Sequence, residues 1–175
     1  MLNALHLPVD LDTRASGVRL RRATAADIDS LMALLADDAV SVARGDVAAP
    51  ADRQVYLRAL ASILGNDSND LLIAVDGDGT VVGTFQLTLI PGMSRQGATR
   101  ILVEAVRVRS TLRSAGIGGA MMRWVTDAAA TQLDAAMVQL TSDRARVDAH
   151  RFYDRLGFVQ SHLGFKFEAG VGGTR

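Results

Sequence analysis

The chain has 175 residues, a length that suits one domain with a single core. Its 19 lysines and arginines balance 19 aspartates and glutamates, so no global field would attract a nucleic acid or an anionic membrane, and neither partner is expected. The absence of cysteine excludes a disulfide framework, a thiolate metal site and a cysteine nucleophile, and it fits a reducing cytoplasm.

The first third of the chain predicts an extension, a strand and two helices. Residues 1–17 lack the basic start and the unbroken apolar run of a signal peptide, so we expect a poorly ordered extension on a cytoplasmic protein. Residues 17–22 alternate like a strand, and Thr24 can cap a helix whose apolar side chains recur on one face. Pro50 is expected to open a second helix after a loop at 44–51.

A β-hairpin is predicted next. Residues 71–75 and 81–90 alternate as strands, and the Asp-Gly-Asp-Gly segment between them is a strong turn signal. Asp76 and Asp78 could also begin a calcium loop, but the twelfth position of that loop is Leu87, where a bidentate glutamate is required. The pattern therefore favours the turn.

The second half predicts strand, helix, strand, helix and strand. Residues 101–108 and 136–141 enclose a helical segment, so they should be parallel neighbours in a right-handed crossover. Trp124 follows helical spacing with other apolar residues and is predicted to lie in the core. A C-terminal strand is expected to carry five apolar residues: Phe158, Val159, Leu163, Phe165 and Phe167.

A glycine-rich segment, Arg113-Ser-Ala-Gly-Ile-Gly-Gly119, lies between a predicted strand and a predicted helix. Such a turn leaves several backbone N–H groups unpaired, which makes a ready site for a phosphate or pyrophosphate. The P-loop needs Lys-Ser or Lys-Thr after its last glycine and the Rossmann pattern needs a third glycine in register, and both are missing. A nucleotide-like cofactor is expected, and a tight connection without a ligand is the alternative.

This segment resembles the acetyl-CoA site of the GNAT N-acetyltransferases, whose pattern is Arg/Gln-x-x-Gly-x-Gly/Ala. Arg113-Ser-Ala-Gly-Ile-Gly118 matches every fixed position. Val103-Glu-Ala-Val-Arg-Val108 resembles the family's fourth strand, and Leu140-Thr-Ser-Asp143 resembles its fifth. Ala149-His-Arg-Phe-Tyr-Asp-Arg-Leu-Gly-Phe158 resembles its Phe-Tyr-x-x-Leu-Gly-Phe block. On these four segments the chain is identified as a member of that family over residues 18–168.

The resemblance implies an α/β fold, classed as α+β in some schemes: the GNAT fold, whose mixed central sheet splays between its fourth and fifth strands and is flanked by helices. It implies a domain at residues 18–168, preceded by the extension at 1–17 and followed by a tail at 169–175. After a bulge, the pantetheine arm of the cofactor would enter the gap and bond to the backbone near Val106 and Val108.

The implied activity is transfer of an acetyl group from acetyl-CoA to a primary amine, by direct attack in a ternary complex and without a metal. The acceptor would be a small molecule or a peptide. The residues implied to bind acetyl-CoA lie on the fourth strand and in the glycine-rich turn: Val106, Arg107, Val108, Arg113, Ser114, Ala115, Gly116, Ile117, Gly118 and Gly119.

Glu104 is the first candidate catalytic residue. Transfer to an amine requires that the amine be neutral, and members of the family often place a general base where Glu104 lies. Strand alternation puts Glu104, Val106 and Val108 on one face if no bulge intervenes. The alternatives are a water-mediated route and a carboxylate that is merely paired with Arg100 or Arg107.

Tyr153 is the second candidate, because it matches the family tyrosine whose hydroxyl lies near the thioester sulfur. A phenol titrates near ~10 and a thiol near ~8.5, so a protonated tyrosine can donate to the departing thiolate at neutral pH. The alternative is a tyrosine that only packs with Phe152. His150, one turn away from Asp154, is predicted to be a surface or ion-paired residue.

Two further expectations concern function class and assembly. The Gln86-Leu-Thr-Leu-Ile-Pro-Gly92 stretch resembles a subgroup sometimes labelled as transcriptional regulators. The alternative function is therefore an acyl-CoA-binding regulator or sensor with little or no turnover. Family members often form dimers, and the apolar C-terminal segment favours a homodimer.

Overall fold

The computed structural model describes residues 1–15, 17–43 and 45–167. These residues fall into two compact units, the first spanning Met1–Leu140 and the second beginning at Thr141. The sheet and most helices belong to the first unit, and one helix belongs to the described part of the second. The predicted tail at 169–175 lies outside the described residues.

A six-stranded mixed sheet forms the first unit, in the order β1-β2-β3-β4-β5-β6. Neighbours from β1 to β5 are antiparallel, and β5 pairs with β6 in parallel, which confirms the parallel neighbours predicted from the sequence. The family's fourth and fifth strands correspond to β5 and β6, because β1 was not predicted. The strands are β1 (Val9–Asp10), β2 (Arg19–Arg22), β3 (Asn69–Val75), β4 (Val81–Ile90), β5 (Arg100–Val108) and β6 (Met137–Leu140).

Seven helices accompany the strands in the described part of the chain. Thr24 forms the predicted cap as a capping box with Asp27, and Pro50 opens a short turn that leads into α3. A π-helical segment, Trp124–Ala129, joins α5 to α6. The helices are α1 (Ile28–Ala36), α2 (Ala39–Val42), α3 (Arg53–Leu64), α4 (Ser94–Gly97), α5 (Ile117–Arg123), α6 (Ala130–Gln132) and α7 (Val147–Arg155).

Apolar side chains cover both faces of the sheet. Leu71 and Ile73 of β3 belong to a buried cluster with α1 and α3. On the opposite face, the Phe85 ring lies 6.3 Å from the Trp124 ring, and Met121 is fully buried. Burial of Trp124 confirms its predicted place in the core, where each large apolar side chain contributes roughly 1.5–3 kcal/mol.

The N-terminal segment differs from the loose extension that was predicted. Leu2 and Leu5 are only 1% and 3% exposed, and the Leu2 N–H donates to the Asp67 carbonyl. The Arg22 guanidinium donates to the Leu2 carbonyl at 2.8 Å. Isolated leucines among polar residues show no periodicity, so packing of this segment could not be predicted from the sequence.

The predicted C-terminal strand is absent from the described residues. Residues 158–167 have no strand conformation, and Leu163, Phe165 and Phe167 are 82–93% exposed. A strand requires a partner for its backbone groups, and alternation alone cannot supply one. Among the helices of the described ranges, none combines the length and apolar character that a bilayer span requires.

Candidate active site

The turn between β5 and α5 has the geometry of an anion site. Ser114 and Gly116 adopt left-handed backbone angles, with φ of 71° and 86°. The Ala120 N–H donates to the Gly116 carbonyl at the start of α5, so the amides of Ile117–Gly119 precede the first helical hydrogen bond. These amides carry the partial positive charge of the helix start, which favours a phosphate.

Two neighbours of this turn were missed by sequence reasoning. The backbone nitrogen of Arg14 lies 3.5 Å from the position that a Cβ at Gly116 would occupy. Asp37, which follows α1, accepts a hydrogen bond from the Ser110 N–H at 2.6 Å, and its carbonyl accepts one from Arg113 at 3.1 Å. The two hydrogen bonds of Asp37 join residues more than 70 positions apart, so no local sequence pattern could predict them.

Asp37 therefore anchors the start of the turn through its charge. The Ser110 N–H is the main cause that holds the pKa of the Asp37 carboxyl below its usual value, with smaller contributions from Arg113 and Arg109, while burial opposes the shift. Because the pKa is lower in the folded state, this stabilisation is present above the usual value of 3.8. It is lost as the pH falls through the lowered value.

We expect Asp37→Ala to weaken acetyl-CoA binding several-fold, because the turn loses an anchor, and Asp37→Asn to weaken it less, because the amide oxygen still accepts from Ser110. Calorimetry measures the affinity of each. The difference in unfolding free energy between wild type and Asp37→Ala should be smaller at about pH 3 than at pH 7, as urea titrations can determine. Equal differences at both values would contradict the anchoring role.

A β-bulge changes which residues of β5 share a face. Glu104 lies opposite Gln86 and Arg107 opposite Thr84, so Ala105 and Val106 together face one residue of β4. Ala105 has a φ of 51°, as expected within a bulge. Glu104, Val106 and Val108 were expected to share a face only in a strand without a bulge. The extra residue inverts the alternation, so Glu104 and Val108 lie on opposite faces.

The pairing of β5 with β6 ends before β5 does. Cα partners run from Arg100 with Met137 to Val103 with Leu140, whereas β5 continues to Val108. The backbone of residues 104–108 consequently has no strand partner on that side within the described chain. This is the gap that the resemblance implied between the two strands.

Glu104 is exposed at the edge of this gap. Within the described residues it forms no ion pair, so the alternative pairing with Arg100 or Arg107 is not observed. The Arg107 guanidinium instead donates to the Ser41 hydroxyl at 2.6 Å and to the Val106 carbonyl at 2.8 Å. Its side chain thereby ties α2 to β5.

Tyr153 lies on α7 in the second unit and is half-buried. Its ring contacts Phe152 and Phe158 edge to face, with centroids 5.1 and 5.8 Å apart. These contacts involve the ring alone, so they are compatible with a chemical role for the hydroxyl. His150 Nε2 lies 2.8 Å from the Asp143 carbonyl, a structural contact within the same unit.

No group of three or more histidine, aspartate or glutamate side chains converges to hold a metal in the ranges that the structure describes. The described residues instead offer hydrogen-bond donors and acid–base groups. The first unit offers backbone amides for an anion and an exposed carboxylate beside an open strand edge, and the second offers a phenol.

The chain is similar in sequence to known proteins. A model described as the acetyltransferase (GNAT) family matches residues 30–158, more than half of the chain. The aminoalkylphosphonate N-acetyltransferase of Salmonella typhimurium is 30% identical over 146 residues, which are 83% of this chain and 88% of that protein.

Solved structures are similar as well. The crystal structure of a transcriptional regulator from Bacillus halodurans is 35% identical, with a TM-score of 0.78 over 87% of this chain and 99% of that one. The glucosamine-6-phosphate N-acetyltransferase of Arabidopsis thaliana has a TM-score of 0.69 over 87% of this chain and 99% of its own. It is 15% identical, so this likeness concerns the fold alone.

Proposed function

The chain belongs to the acetyltransferase (GNAT) family and is an acyltransferase, and from that premise we propose that it moves an acetyl group from acetyl-CoA to a primary amine by direct attack in a ternary complex. The main support for the proposal is the β5–α5 turn. Ser114 and Gly116 have left-handed backbone angles there, and the next three backbone N–H groups have no acceptor within the helix. Those amides fit the pyrophosphate of CoA.

The residues that would hold acetyl-CoA lie on β5 and in this turn. Backbone groups of Val106, Arg107 and Val108 line the open edge of β5, where an extended pantetheine arm can bond like an added strand. Arg107 would contribute through its backbone, because its guanidinium already binds Ser41. The amides of Ser114, Gly116, Ile117, Gly118 and Gly119 would surround the phosphates. Arg113 and Ala115, whose N–H groups donate to the Ser110 and Leu112 carbonyls, would shape the turn.

Glu104 is the proposed base. Its exposed carboxylate lacks an ion-pair partner in the described chain and lies on the last β5 position before the bulge. There it can accept a proton from the protonated amine of the acceptor, directly or through one water. The unprotonated amine then attacks the thioester carbonyl, which a backbone N–H near Val106 would polarise.

Tyr153 is the proposed acid. When the C–S bond breaks, the electron pair stays on sulfur, and the phenol supplies the proton that converts the thiolate to a thiol. The nitrogen, which becomes positively charged on attack, loses a proton as the amide forms, and this proton returns through water to the phenolate. An ordinary phenol titrates near ~10, so a tyrosine hydroxyl carries the proton that this step needs at neutral pH. The ring contacts with Phe152 and Phe158 restrict the orientation of the hydroxyl.

The proposed acceptor is a small primary amine, with a peptide amine as the other possibility. A relative that covers most of this chain is named for aminoalkylphosphonate acetylation, so such compounds are the first candidates to test. Initial rates of thiol release, with acetyl-CoA and the amine varied together, test direct attack. Intersecting double-reciprocal lines support a ternary complex, whereas parallel lines would indicate an acetylated enzyme and refute it.

The alternative function is an acyl-CoA-binding regulator with little turnover. The observation in its favour is the 35% identity to a structure described as a transcriptional regulator. The partnerless carboxylate of Glu104 favours catalysis, because binding of acyl-CoA alone needs no base. A protein that binds acetyl-CoA tightly but releases no thiol with any amine would establish the regulator instead.

We also propose a homodimer. Val159, Leu163, Phe165 and Phe167 expose at least 82% of their surface, and a second copy would remove this apolar area from water. Light scattering should give twice the monomer mass, and Phe165→Asp with Phe167→Asp should give the monomer. Gln160→Asp with Ser161→Asp adds the same charge at exposed polar positions and should leave the dimer intact. A wild-type monomer across a wide concentration range would refute the proposal.

A further inference from the structure

Arg100 lies at the start of β5, on the same face of the sheet as Glu104. Alternation places Arg100, Leu102 and Glu104 on one face, because all three precede the bulge. Their Cα partners on β4 are Ile90, Thr88 and Gln86. Arg100 and Glu104 thus mark the two ends of a short row along a single strand.

Arg95 reaches the same end of this row from the loop between β4 and β5. Its guanidinium Nη1 lies 3.9 Å from the Met137 sulfur, and Met137 is the Cα partner of Arg100 on β6. The Arg95 guanidinium and the backbone of Arg100 therefore lie beside the same residue of β6.

The short segment α4, which carries Arg95 in the connection between β4 and β5, contains backbone angles that are not helical. Arg95 and Gln96 both adopt left-handed backbone angles, with φ of 55° and 60°, which non-glycine residues keep only where the surroundings impose them. A Cβ at Gly92 would lie 2.7 Å from the Ala98 carbonyl oxygen, so the two ends of the loop approach closely. Such strain is concentrated at functional sites, and here it fixes the base of Arg95.

Neither arginine is neutralised by a carboxylate in the described part of the chain. Four other arginines of the first unit form ion pairs with aspartates: Arg19, Arg21, Arg22 and Arg53. Arg95 and Arg100 therefore leave two positive charges at one end of the row, while the carboxylate of Glu104 leaves a negative charge at the other.

We propose that Arg95 and Arg100 bind an anionic group of the acceptor, whose amine then lies at Glu104; this inference rests on the proposed function. The Cα atoms of Arg100 and Glu104 are four residue steps apart along the strand, which is about 13 Å at ~3.3 Å per step. The long arginine side chain can lean along the strand and shorten this span for a short aminoalkyl compound. Half-buried Leu102 lies between them as an apolar floor for the alkyl chain.

The substrate class is accordingly a short primary amine with a phosphonate, phosphate or carboxylate at its other end. A guanidinium presents its N–H groups in a planar fork that matches two oxygens of such an anion. Two guanidinium groups that bind the same anion can together contact three oxygens. A phosphonate should therefore bind more tightly than a carboxylate.

Matched acceptors test this subsite. We expect wild type to acetylate (2-aminoethyl)phosphonate best, β-alanine less well and uncharged propylamine least. Arg100→Ala and Arg95→Ala should each lower kcat/KM for the anionic amines about tenfold to a hundredfold, the loss typical of a hydrogen bond to a charged group, and leave propylamine unchanged. Arg100→Lys should restore part of the loss. Arg58→Ala, which removes an exposed arginine of α3, is the control and should change neither.

The outcomes separate this inference from the proposed function. If all three amines are acetylated and the arginine variants lower kcat/KM equally for each, the proposed anion subsite is refuted and the proposed function stands. A wild-type preference for propylamine would have the same meaning. If no amine is acetylated, the proposed function fails, and calorimetric titration of (2-aminoethyl)phosphonate in the presence of CoA still decides the subsite. Binding that weakens in Arg95→Ala and Arg100→Ala but not in Arg58→Ala supports it, and absence of binding to wild type refutes it.

Discussion

Replacing Tyr153 by phenylalanine is expected to lower kcat about a hundredfold and to leave the affinity for acetyl-CoA unchanged. The substitution keeps the ring and its contacts with Phe152 and Phe158, but it deletes the proton that would reach the leaving thiolate. Positioned general acids contribute roughly a hundred- to ten-thousand-fold, and a thiolate is already a fair leaving group, so the lower end applies. Thiol release at saturating substrates, from pH 6 to 10, measures the effect.

Two variants make this result specific. Tyr56→Phe removes the other tyrosine hydroxyl, which donates to Asp46 at 2.7 Å, and should leave kcat unchanged. Glu104→Gln should also lower kcat, but its rate should partly recover at higher pH as the fraction of free amine rises. Full kcat in Tyr153→Phe at every pH would mean that the hydroxyl is structural.

Gly116→Val is expected to raise the dissociation constant for acetyl-CoA by at least about tenfold, which corresponds to 1.4 kcal/mol. Gly116 has a φ of 86°, a conformation that costs a residue with a side chain about 1–2 kcal/mol. The branched side chain would also extend into the space in front of the amides and toward Arg14. Isothermal titration measures the affinity, and circular dichroism confirms that the variant folds.

Gly79→Val is the matched control for this substitution. Gly79 has a φ of 79° in the turn between β3 and β4, with no atom within 4 Å of an added Cβ. Valine at this position therefore imposes a comparable backbone strain, but far in sequence from the glycine-rich turn. The Gly79→Val variant should bind acetyl-CoA as tightly as wild type does. Unchanged affinity in folded Gly116→Val would contradict the assignment of the turn to phosphate binding.

Local signals predicted the features that depend on a few neighbouring residues. The hairpin turn forms where Asp76 accepts hydrogen bonds from the Asp78 and Thr80 amides, and the Thr24 cap forms with Asp27 three residues later. The glycine-rich turn likewise occupies its predicted place, because backbone freedom at Gly116 is a property of that residue.

Features that depend on distant parts of the chain could not be predicted. The resemblance implied a bulge in this strand, but its position at Ala105, which places Glu104 and Arg107 on one face, depends on the register with β4. The positions of Asp37 and Arg14 beside the turn depend on tertiary packing. The C-terminal alternation predicted a strand, but pairing needs a neighbour that the sequence pattern does not specify.

Transfer of a labelled acetyl group to an amine tests the central claim most directly. The protein is incubated with [13C]acetyl-CoA and (2-aminoethyl)phosphonate, β-alanine or propylamine, and the products are identified by mass spectrometry. We predict a labelled amide on nitrogen with one equivalent of free CoA. At low acetyl-CoA concentration, Gly116→Val should form it at least about tenfold more slowly than wild type. Tight binding of acetyl-CoA without any labelled amide from these or a wider panel of primary amines would contradict the claim.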